Sequence, residues 1–523
     1  MTIKQNQFTN KIKNFKHTKL WATTINVLLI IFAVNIIINL TSIGLDLTAN
    51  RIHSLSSASK EIISNLDDIV TIKVFVSENL PPQLAPLKET LENTLNQYQK
   101  ANKSKIKITW LDPQKDEKAQ SEAVSLGITP LQFSSMEQDQ FQIIQGYFGL
   151  AIFHAGEKEI IPALQEINNL EYLLTATIKK LQKEKLPEIT FSSGLGETEQ
   201  SQLAQVSKLL SLNYQPSVLD LSEELAEFDK EVETLVVIGP QEKFSEKAKI
   251  IIDQLLMNQK GVILLLDKVF VDGGLTTTVV DNDLDDFLSH FGIKINQDLV
   301  VDQSAAYASF QTETGRFVVP YPLWVQTRKE NANQELPLTS SLESIVFPWI
   351  SSLAIDEDVT PLWKSTTKAK KTADFQNIIP TKQWNFEETD QYVLAALQTS
   401  GKESFFKQEK PDNLEELGIT EFKESSEAIK LAVIGDANFI DDQTVASYPE
   451  NSQFFLNLVD YLSQDTQLIK IRSKTVFSRP LKMIEEKEKQ MIRVIALSVS
   501  PLILLSLVIL IKWQRKKINQ NLI

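Results

Sequence analysis

The sequence predicts an α/β fold in a membrane protein, with two transmembrane helices flanking two α/β domains of unequal size. Apolar segments near both ends of the chain predict the membrane helices. Short alternating strands and amphipathic helices after the first segment predict a small α/β domain. Farther along, continuous apolar strands separated by helices predict a larger domain, because such strands are typical of a parallel sheet covered on both faces.

The two apolar segments are residues 20–43 and 492–511. The first has no charged residue, and the second has only Arg493, near its start, where a long side chain reaches the headgroups. At about 1.5 Å of rise per residue, either segment is long enough for a hydrocarbon layer of roughly 30 Å. Each therefore predicts one transmembrane helix. A cleaved signal peptide is the alternative for the first, but no small-x-small cleavage site follows it.

Basic residues without any acidic neighbour lie on the outer side of both segments. They are Lys4, Lys11, Lys13, Lys16, Lys19, Lys512, Arg515, Lys516 and Lys517. Because basic flanks stay in the cytoplasm, we expect two cytoplasmic tails, residues 1–19 and 512–523. The sequence therefore predicts a two-pass protein of the bacterial plasma (inner) membrane, with residues 44–491 on the extracytoplasmic side.

The composition excludes several classes of function. Removing the nine terminal positive charges from the formal net charge of −14 leaves −23 on the intervening region, so nucleic acid is not an expected partner. The chain has no cysteine, which excludes disulfides, thiolate metal sites and cysteine nucleophiles. It has only 4 histidines, none of them in an HExxH or G-x-S-x-G context. We expect no cofactor, no metal and no catalytic residue.

The first extracytoplasmic domain is predicted over residues 44–164. Its predicted elements are a helix around Ile62, Ile63 and Leu66, a strand at 70–76, a helix at 87–98, a strand at 106–112, a helix at 117–126, and paired strands at 147–153 and 159–163. This order, with Pro130 before the paired strands, is similar to a thioredoxin-like fold. Because no CxxC accompanies it, the redox chemistry usual for that fold is excluded, and a scaffold or docking surface is left.

A polar helical stretch at 165–186 is predicted to link this domain to a larger one at 187–475. The strands predicted there are 188–191, 216–221, 233–239, 261–267 and 431–439, and the predicted helices are 202–212, 245–258, 284–293 and 454–462. Strands and helices in that order predict a Rossmann-like domain with a parallel sheet. Weaker patterning between about 300 and 425 predicts insertions or a small extra sheet. A juxtamembrane helix is predicted at 476–491.

Four stretches of the chain resemble the GldG family of auxiliary proteins of ABC-2 type transport systems. They are DLTANRIHSLSSASKEIISNLDDIVTIKVFVSENLPP after the first apolar segment, EITFSSGLGETE at 188–199, LAVIGDANFIDD with NSQFFLNLVDYL within 431–462, and the closing IKIRSK, charged helix, apolar span and basic tail. The resemblance covers most of the chain in the right order, although the middle matches poorly. It implies a non-catalytic extracytoplasmic auxiliary subunit of the cell envelope, related to gliding-motility components, with no catalytic residue to carry over.

The partners that the resemblance implies are an ABC-2 permease and an ATP-binding subunit, together with membrane lipid, in a homo- or hetero-oligomer. No GxxxxGK[ST] motif occurs, so a Walker site for ATP hydrolysis must belong to another subunit. Asn26, Asn35 and Asn39 of the first apolar segment are candidate intramembrane contacts, since interhelical hydrogen bonds form between such side chains. The alternative is that each is tolerated singly near the membrane interface.

Two strand ends that carry glycine are the candidate ligand or interface sites. Gly194, Gly196 and Glu197 follow a predicted strand, where backbone amides at a helix start bind an anion. The alternative is a tight strand-to-helix turn with Glu197 near the helix N-terminus. Gly435 and Asp436 end another strand at the carboxyl edge of the predicted sheet, where such folds bind ligands. An aspartate that caps the following segment is the alternative there.

Two further stretches each leave two interpretations. The acidic run DNDLDDF resembles a calcium loop, but it lacks the glycine of the sixth position and has Gly292 in place of glutamate at the twelfth. Its aspartates are Asp281, Asp283, Asp285 and Asp286. The alternative is an acidic first helical turn capped by Asp283. The apolar stretch FVVPYPLWV at 317–325 is either core or a partner-binding surface, and core is favoured.

The leading hypothesis is a membrane-anchored, non-catalytic auxiliary subunit of an ABC-2 type transporter, with a large ectodomain for protein or substrate interaction. An extracytoplasmic small-ligand-binding protein or hydrolase, anchored to the plasma membrane, is the alternative. That alternative uses the carboxyl edge of the second domain's sheet. A purely structural envelope anchor is a third hypothesis.

Overall fold

The structure is a computed structural model that describes residues 54–472, except for 79, 81–83, 138–139, 165–169, 184, 223–231, 313–314, 413 and 464–465, and also 489–498 and the single positions 26, 30, 501 and 506. The chain divides into two units, Met1–Thr475 and Val476–Ile523. The predicted tails 1–19 and 512–523, almost all of 20–43, and most of the predicted helix 476–491 lie outside the described residues.

The predicted membrane fold class is wrong for the part of the chain that the structure describes. No helix in that part is both long and apolar enough to cross a bilayer. A span needs roughly 20 apolar residues. The helical stretch 489–498 offers 10 described residues, and the helix Ala85–Ala101 is 17 residues long but polar on one side. The fold observed is mixed α/β, and the two predicted transmembrane helices are not supported.

The first part of the first unit is built on a mixed four-stranded sheet. Its strands and helices are α1 (Ser57–Ser64), β1 (Val70–Val76), α2 (Ala85–Ala101), β2 (Ile106–Leu111), α3 (Glu117–Ser125), β3 (Leu131–Glu137), β4 (Gln140–Gly146), β5 (Phe148–His154), β6 (Glu157–Ile161) and α4 (Leu170–Leu181). The sheet order is β2-β1-β5-β6, with β1 parallel to β2 and antiparallel to β5, while β3 and β4 form a separate hairpin. The helices and strands confirm the predicted element order, and the thioredoxin-like assignment stays a prediction.

Helical spacing decides which helices cover this sheet. On α2, Leu91, Leu95 and Tyr98 are buried, because positions three and four residues apart lie on one face. On α4, Leu170 and Leu174 are buried in the same way, and both helices belong to the apolar core of the first sheet. The helix inside the predicted linker 165–186 therefore packs on the first sheet.

The second part of the first unit carries the remaining elements. Its strands are β7 (Glu188–Ser193), β8 (Gln215–Asp220), β9 (Thr234–Ile238), β10 (Gly261–Leu265), β11 (Val269–Val271), β12 (Thr277–Val279), β13 (Ile293–Ile295), β14 (Leu299–Asp302), β15 (Ala305–Thr312), β16 (Gly315–Arg328), β17 (Ser344–Pro348), β18 (Leu353–Ile355), β19 (Thr360–Lys364), β20 (Ala369–Thr372), β21 (Val393–Gln398), β22 (Lys402–Glu403), β23 (Ser425–Ser426) and β24 (Lys430–Ile434). Its helices are α5 (Ala204–Leu210), α6 (Glu246–Met257), α7 (Asp285–His290), α8 (Pro337–Ser340), α9 (Asp442–Ser447), α10 (Glu450–Leu462) and α11 (Thr466–Arg472).

The main sheet of this part is mixed, which corrects the predicted all-parallel sheet. Among the described residues its order is β13-β18-β21-β24-β10-β9-β7-β8, with β19 paired to β21. Neighbouring strands from β8 to β24 run parallel. Strands β21, β18, β13 and β19 pair antiparallel. The five strands that the sequence predicts are the five parallel ones, and the antiparallel extension comes from the region of weak patterning and its borders.

Apolar strands without alternation bury both faces of the parallel half. Strands β9 and β10 are buried at every position. Val236 and Ile263 face a core that contains Phe454 of α10, whereas Leu235 and Leu264 face a second core that contains α6. The helix α6 begins after Ser245, whose hydroxyl oxygen accepts a hydrogen bond from the Ala248 amide at 3.2 Å. Helices on both faces are what the sequence predicts for these strands.

The weakly patterned region forms small extra sheets, as predicted. Strands β15, β16 and β17 make a three-stranded antiparallel sheet, and β14 pairs with β20. The stretch FVVPYPLWV lies in β16, where Tyr321, Leu323 and Val325 are fully buried and Val318 on the other face is exposed. The core interpretation of that stretch is therefore confirmed for its buried face.

The short helix α11 packs on both parts of the unit. It shares an apolar cluster with α1 and α4 of the first part and lies beside α10 of the second. The buried members of that cluster are Ala58, Ile62, Tyr172, Ala176, Leu468 and Ile471. The helix α11 thus contacts elements of both parts.

Candidate functional site

The carboxyl ends of β7 and β9 mark the point where the strand order reverses. The chain passes from β7 to β8 on one side and then to β9 on the other. Ligands of open α/β sheets bind at such a switch point. The loop after β7 holds Gly194 at φ 91° and Gly196 at φ 69°, and the loop after β9 holds Gly239 at φ 61°. These left-handed conformations favour glycine and bring the two loops together.

The two loops are hydrogen-bonded to each other. The Leu195 carbonyl accepts from the amides of Gln241 and Glu242, both at 2.9 Å. The Thr198 amide donates to the Ile238 carbonyl at 2.9 Å. Leu195 itself is buried, with 3% of its surface exposed. Backbone groups of the two loops at the switch point are therefore hydrogen-bonded to each other.

Gly194 is required by close packing as well as by backbone conformation. A Cβ at this position would lie 2.5 Å from Asp220 Oδ1 and 2.9 Å from the Ser222 amide nitrogen. Asp220 Oδ1 already accepts from that Ser222 amide at 2.8 Å. The glycine is thus explained by contact between the loops that follow β7 and β8.

Glu197 folds back onto its own loop. Its Oε2 accepts from the Leu195 amide at 2.8 Å, and its Oε1 is buried without a hydrogen-bond partner among the described residues. No α-helix begins next to it, because a 3₁₀ turn at Gln200–Gln202 precedes α5. The predicted strand-to-helix turn is therefore a longer connection, and Glu197 does not lie at a helix N-terminus.

Gly435 lies where two backbone segments meet. Its carbonyl accepts from the Ser351 amide at 2.8 Å, and a Cβ here would lie 2.3 Å from the Ser351 carbonyl oxygen. Any side chain at this position would collide with backbone, which cannot move aside as a flexible side chain would. The glycine is thus a packing requirement between β24 and the segment after β17.

Asp436 forms a buried carboxyl pair with Asp267. The two residues follow β24 and β10 at equal distances from the register pair Leu265 and Ile434, so they lie side by side at the sheet edge. Asp436 Oδ1 accepts from the Asn438 amide at 2.7 Å, and Asp267 Oδ1 accepts from the Ala437 amide at 2.8 Å. Asp436 Oδ2 is buried without a partner in the described part of the chain.

Burial raises the pKa of both carboxyls of this pair. Burial raises the pKa of Asp267 to about 7, against the lowering effect of the Ala437 amide bond. Burial and then the neighbouring Asp267 carboxyl raise the pKa of Asp436 well above its ordinary value. Two close carboxyls in a dry site resist double ionisation, so the pair holds a proton where exposed aspartates hold none.

The structure brings all five predicted strand-end residues to one edge of the sheet. Gly239 lies between the loops that carry these residues. A Cβ there would lie 2.8 Å from Thr198 Oγ1 and 3.8 Å from Asp267 Oδ2. Asp267 was not among the predicted site residues. The signal for it was present, because GVILLLD ends an apolar strand with aspartate as LAVIGD does.

The acidic run at 281–286 is paired with lysines. Lys243 Nζ lies 2.7 Å from Asp281, and Lys249 Nζ lies 2.7 Å from Asp283. Lys268 Nζ lies 2.5 Å from Asp285. Within the described residues, no group of three or more histidines, aspartates and glutamates is arranged to hold a metal ion.

The cap predicted for this run is wrong. Leu284 is the N-cap of α7, without a side-chain cap, because Asp283 sits one residue earlier with a left-handed φ of 59°. The Asp283 amide donates a hydrogen bond to Asp281 Oδ1 at 3.3 Å. This bond forms a local turn before the helix.

Of the three predicted intramembrane contacts, Asn26 is described as helical and exposed. Asn35 and Asn39 lie outside the described residues. The predicted contacts of these asparagines stay predictions.

Several known proteins are similar to this chain. A protein of Borreliella burgdorferi, described as uncharacterized, is 24% identical over 516 residues, which cover 95% of this chain and 97% of that protein. The mmIFT52 N-terminal domain matches 53% of this chain and 97% of its own, with 16% identity and a TM-score of 0.34. PurLQS from Thermotoga maritima matches 53% of this chain and 99% of its own, with 11% identity and a TM-score of 0.28. Both TM-scores are too low to carry an argument.

Two family models match the chain in consecutive regions. Residues 49–153 match a domain of unknown function. Residues 186–464, which are more than half of the chain, match the family described as an ABC-type uncharacterized transport system. This match agrees with the resemblance to auxiliary components of ABC transport systems that the sequence indicates. The chain therefore belongs to this family of ABC-type transport-system components, with a transport-associated auxiliary role.

Proposed function

We propose that this chain is a non-catalytic auxiliary subunit of an ABC-2 type transporter and that its folded parts bind the other subunits or the cargo. The observation that carries the proposal is the family match over 186–464. The partners we propose are a permease and a separate ATP-binding subunit, since this chain has no Walker motif. As a component of a transport system, the chain is associated with the cell envelope.

The geometry of the carboxyl edge supports a non-catalytic role. An α/β enzyme of this architecture keeps its carboxyl edge open to substrate. Here Asp436 is completely buried, and the loops after β7 and β9 are bonded to each other. Gly194 and Gly435 are accounted for by steric contact with neighbouring segments. We propose that this edge supports the fold internally and that the binding surface lies elsewhere on the folded parts.

We further propose that the folded parts lie on the extracytoplasmic side. The lack of cysteine and the acidic charge between the basic ends support this placement. Protease added to spheroplasts should then degrade the folded parts, while a cytoplasmic control protein survives. Protection until the spheroplasts are lysed would contradict the placement.

Co-purification tests the proposed partners. The tagged full-length chain is captured from membranes in a mild detergent, and the bound proteins are identified by mass spectrometry. We expect a permease and an ATP-binding subunit in the eluate and not in a mock capture from untagged cells. If neither is recovered, the auxiliary function is wrong. Normal transport after deletion of the gene would instead indicate a purely structural envelope anchor.

A ligand-binding role is the second candidate, favoured by the buried oxygens Glu197 Oε1 and Asp436 Oδ2, which lack partners among the described residues. The paired substitution Glu197→Gln and Asp436→Asn keeps the shape and replaces both carboxyl groups by amides. We expect the folded variant to keep its partners and its transport. Loss of transport with partners retained would favour the ligand site. The matched control is Glu199→Gln with Asp412→Asn, two exposed carboxyls.

A further inference from the structure

A buried polar cluster lies where the two parts of the first unit meet. We call it the Arg472 latch, and it consists of Arg472, Asp460, Asn457, Tyr172, Tyr214 and Asn213. Arg472 is the last residue of α11, and Asp460 and Asn457 lie on α10. Tyr172 lies on α4, the helix that covers the first sheet. Members from both parts thus meet at the end of one helix.

Arg472 binds both parts at once. Its Nη2 donates to Asp460 Oδ2 at 2.6 Å and to the Tyr172 hydroxyl at 3.0 Å. Its Nη1 donates to Asn457 Oδ1 at 2.6 Å. The guanidinium carbon also lies 4.6 Å from the centre of the Tyr172 ring, within the range of a cation–π contact. One of these hydrogen bonds, to Tyr172, crosses the junction, while the bonds to Asp460 and Asn457 hold Arg472 on α10 of its own part.

The remaining members hold the acceptors in place. The Tyr214 hydroxyl donates to Asp460 Oδ1 at 2.7 Å, so both carboxylate oxygens have a donor. Asn213 Nδ2 donates to the Tyr172 hydroxyl at 3.0 Å. Asn457 Nδ2 donates to the Leu338 carbonyl at 3.0 Å, which fixes its oxygen toward Arg472. Each partner of the guanidinium is thus positioned by a second contact.

The latch is deeply buried and contains an ion pair between Arg472 and Asp460. Arg472 is 3% exposed and Asp460 is completely buried. Burial alone lowers the pKa of Arg472, but the Asp460 carboxylate and the Tyr172 hydroxyl raise it above its ordinary value. A buried ion pair adds little net stability, but removing one partner from it is strongly unfavourable. Such a pair therefore acts as an all-or-none contact.

We propose that the Arg472 latch is a conformational joint: while Arg472 is seated, the two sheets behave as one body, and withdrawal of Arg472 loosens the first part from the second. The two parts then stay in contact through the apolar cluster of α11 and the Asn213–Tyr172 hydrogen bond. A shift of one side chain breaks the bonds to α4 and α10 together. This coupling goes beyond the proposed transport-associated role and does not depend on the identity of any partner.

Calorimetry of the full-length protein tests the coupling. We expect the wild-type parts to unfold in one coincident transition and the variant Arg472→Met, which keeps the apolar stem, to show two separate transitions. Lys470→Met, at an exposed position of the same helix, is the matched control and should keep one transition. Two transitions in the wild type, or a single lowered transition in Arg472→Met, would overturn the proposal.

A distance measurement tests the joint without relying on thermal unfolding. Because the chain has no cysteine, Asn93→Cys in the first part and Lys294→Cys in the second give one pair of exposed labelling sites for spin labels. We expect a narrow distance distribution with Arg472 in place and a broad one with Arg472→Met. Tyr172→Phe, which removes the bond to α4 and leaves Asp460 in place, should give intermediate broadening. Equal widths in all three proteins would refute the joint.

Discussion

Two buried clusters of ionisable side chains in the same unit differ in their pairing: one joins opposite charges, and the other places two carboxyl groups side by side. At the Arg472 latch, a guanidinium and a carboxylate lie 2.6 Å apart with further donors around them. At the carboxyl edge, Asp267 and Asp436 lie side by side without a cation contact among the described residues, and one oxygen of Asp436 has no partner there. Both sites are fully enclosed, so burial by itself does not distinguish them.

The difference lies in the sign of the neighbour. An opposite charge favours the ionised form of a buried group, whereas a like charge adds to the effect of burial and favours the neutral form. The latch is therefore stable as an ion pair across the neutral pH range. The carboxyl edge instead prefers to hold a proton. Each of the following substitutions alters one of these two arrangements.

Asp460→Ala should have the largest effect on stability. It leaves the Arg472 guanidinium buried without its carboxylate, and breaking such a pair costs about 3–5 kcal/mol. Urea unfolding of the full-length protein, followed by circular dichroism, measures the loss. The exposed Asp412→Ala is the control, with a change close to zero. A loss of less than about 1 kcal/mol for Asp460→Ala would show that the latch is not a tightly coupled pair.

The carboxyl pair should make stability fall as pH rises. The folded-state pKa of Asp267, about 7, is above the unfolded value of roughly 3.9, so the folded state binds the proton more tightly. The stabilisation is complete below about pH 4 and is lost as pH rises toward about 7. We expect the double variant Asp267→Asn and Asp436→Asn to gain about 1–3 kcal/mol over the wild type between pH 5 and pH 8.

Urea titrations at a series of pH values measure this difference. Other carboxylates titrate in the same range, so the quantity compared is the gap between variant and wild type rather than either profile alone. Asp412→Asn, at an exposed position, should follow the wild-type profile. A gap that stays constant with pH would mean that the pair does not share a proton.

Gly435→Ala should cost about 1–3 kcal/mol by overpacking. Its new methyl group would lie 2.3 Å from the Ser351 carbonyl oxygen, so the backbone must shift. Gly273→Ala is the matched control, since a methyl group there meets nothing within 4 Å. Denaturant unfolding of the two variants compares them directly. Equal stability of the two would show that the contact between β24 and the segment after β17 is loose.

Tyr214→Phe should have the smallest effect, a loss of about 1 kcal/mol. It removes the hydroxyl that donates to Asp460 Oδ1 but leaves the ion pair with Arg472 intact. Comparison with Asp460→Ala in the same urea assay separates a single hydrogen bond from the charge pair. A loss as large as that of Asp460→Ala would show that the hydroxyl donors contribute as much to the stability of the latch as the ion pair does.

Local patterns predicted the parallel half of the main sheet well. Runs such as GVILLLD and ETLVVIG are continuously apolar between their ends, which is typical of strands buried on both faces. The helix before Asn258 was equally readable, because Ser245 provides a cap signal within a few residues of the apolar face. The predicted residues Gly194 and Asp436 also lie at the sheet edge, but packing and enclosure account for them.

Long-range contacts explain what the sequence did not predict. Tyr172 and Arg472 are 300 positions apart, and neither stands in a local pattern that marks it as a partner of the other. Strand β18 has three residues and β19 contains Pro361, so their periodicity is weak, whereas β21 (VLAALQ) is an apolar run that the sequence analysis did not select. Asp267 was missed because its pairing with Asp436 depends on the adjacency of β10 and β24, which periodicity does not give.

The packing of α11 on α1 has a consequence for protein engineering. Gln467 Nε2 donates to Glu61 Oε1 at 3.5 Å, and Leu468 packs in one cluster with Ala58. The helices α1 and α11 are therefore neighbours in space. A body whose ends lie together tolerates insertion into a surface loop of an unrelated host and circular permutation through a short linker. Residues 54–472 are thus suited to transplantation as a guest domain.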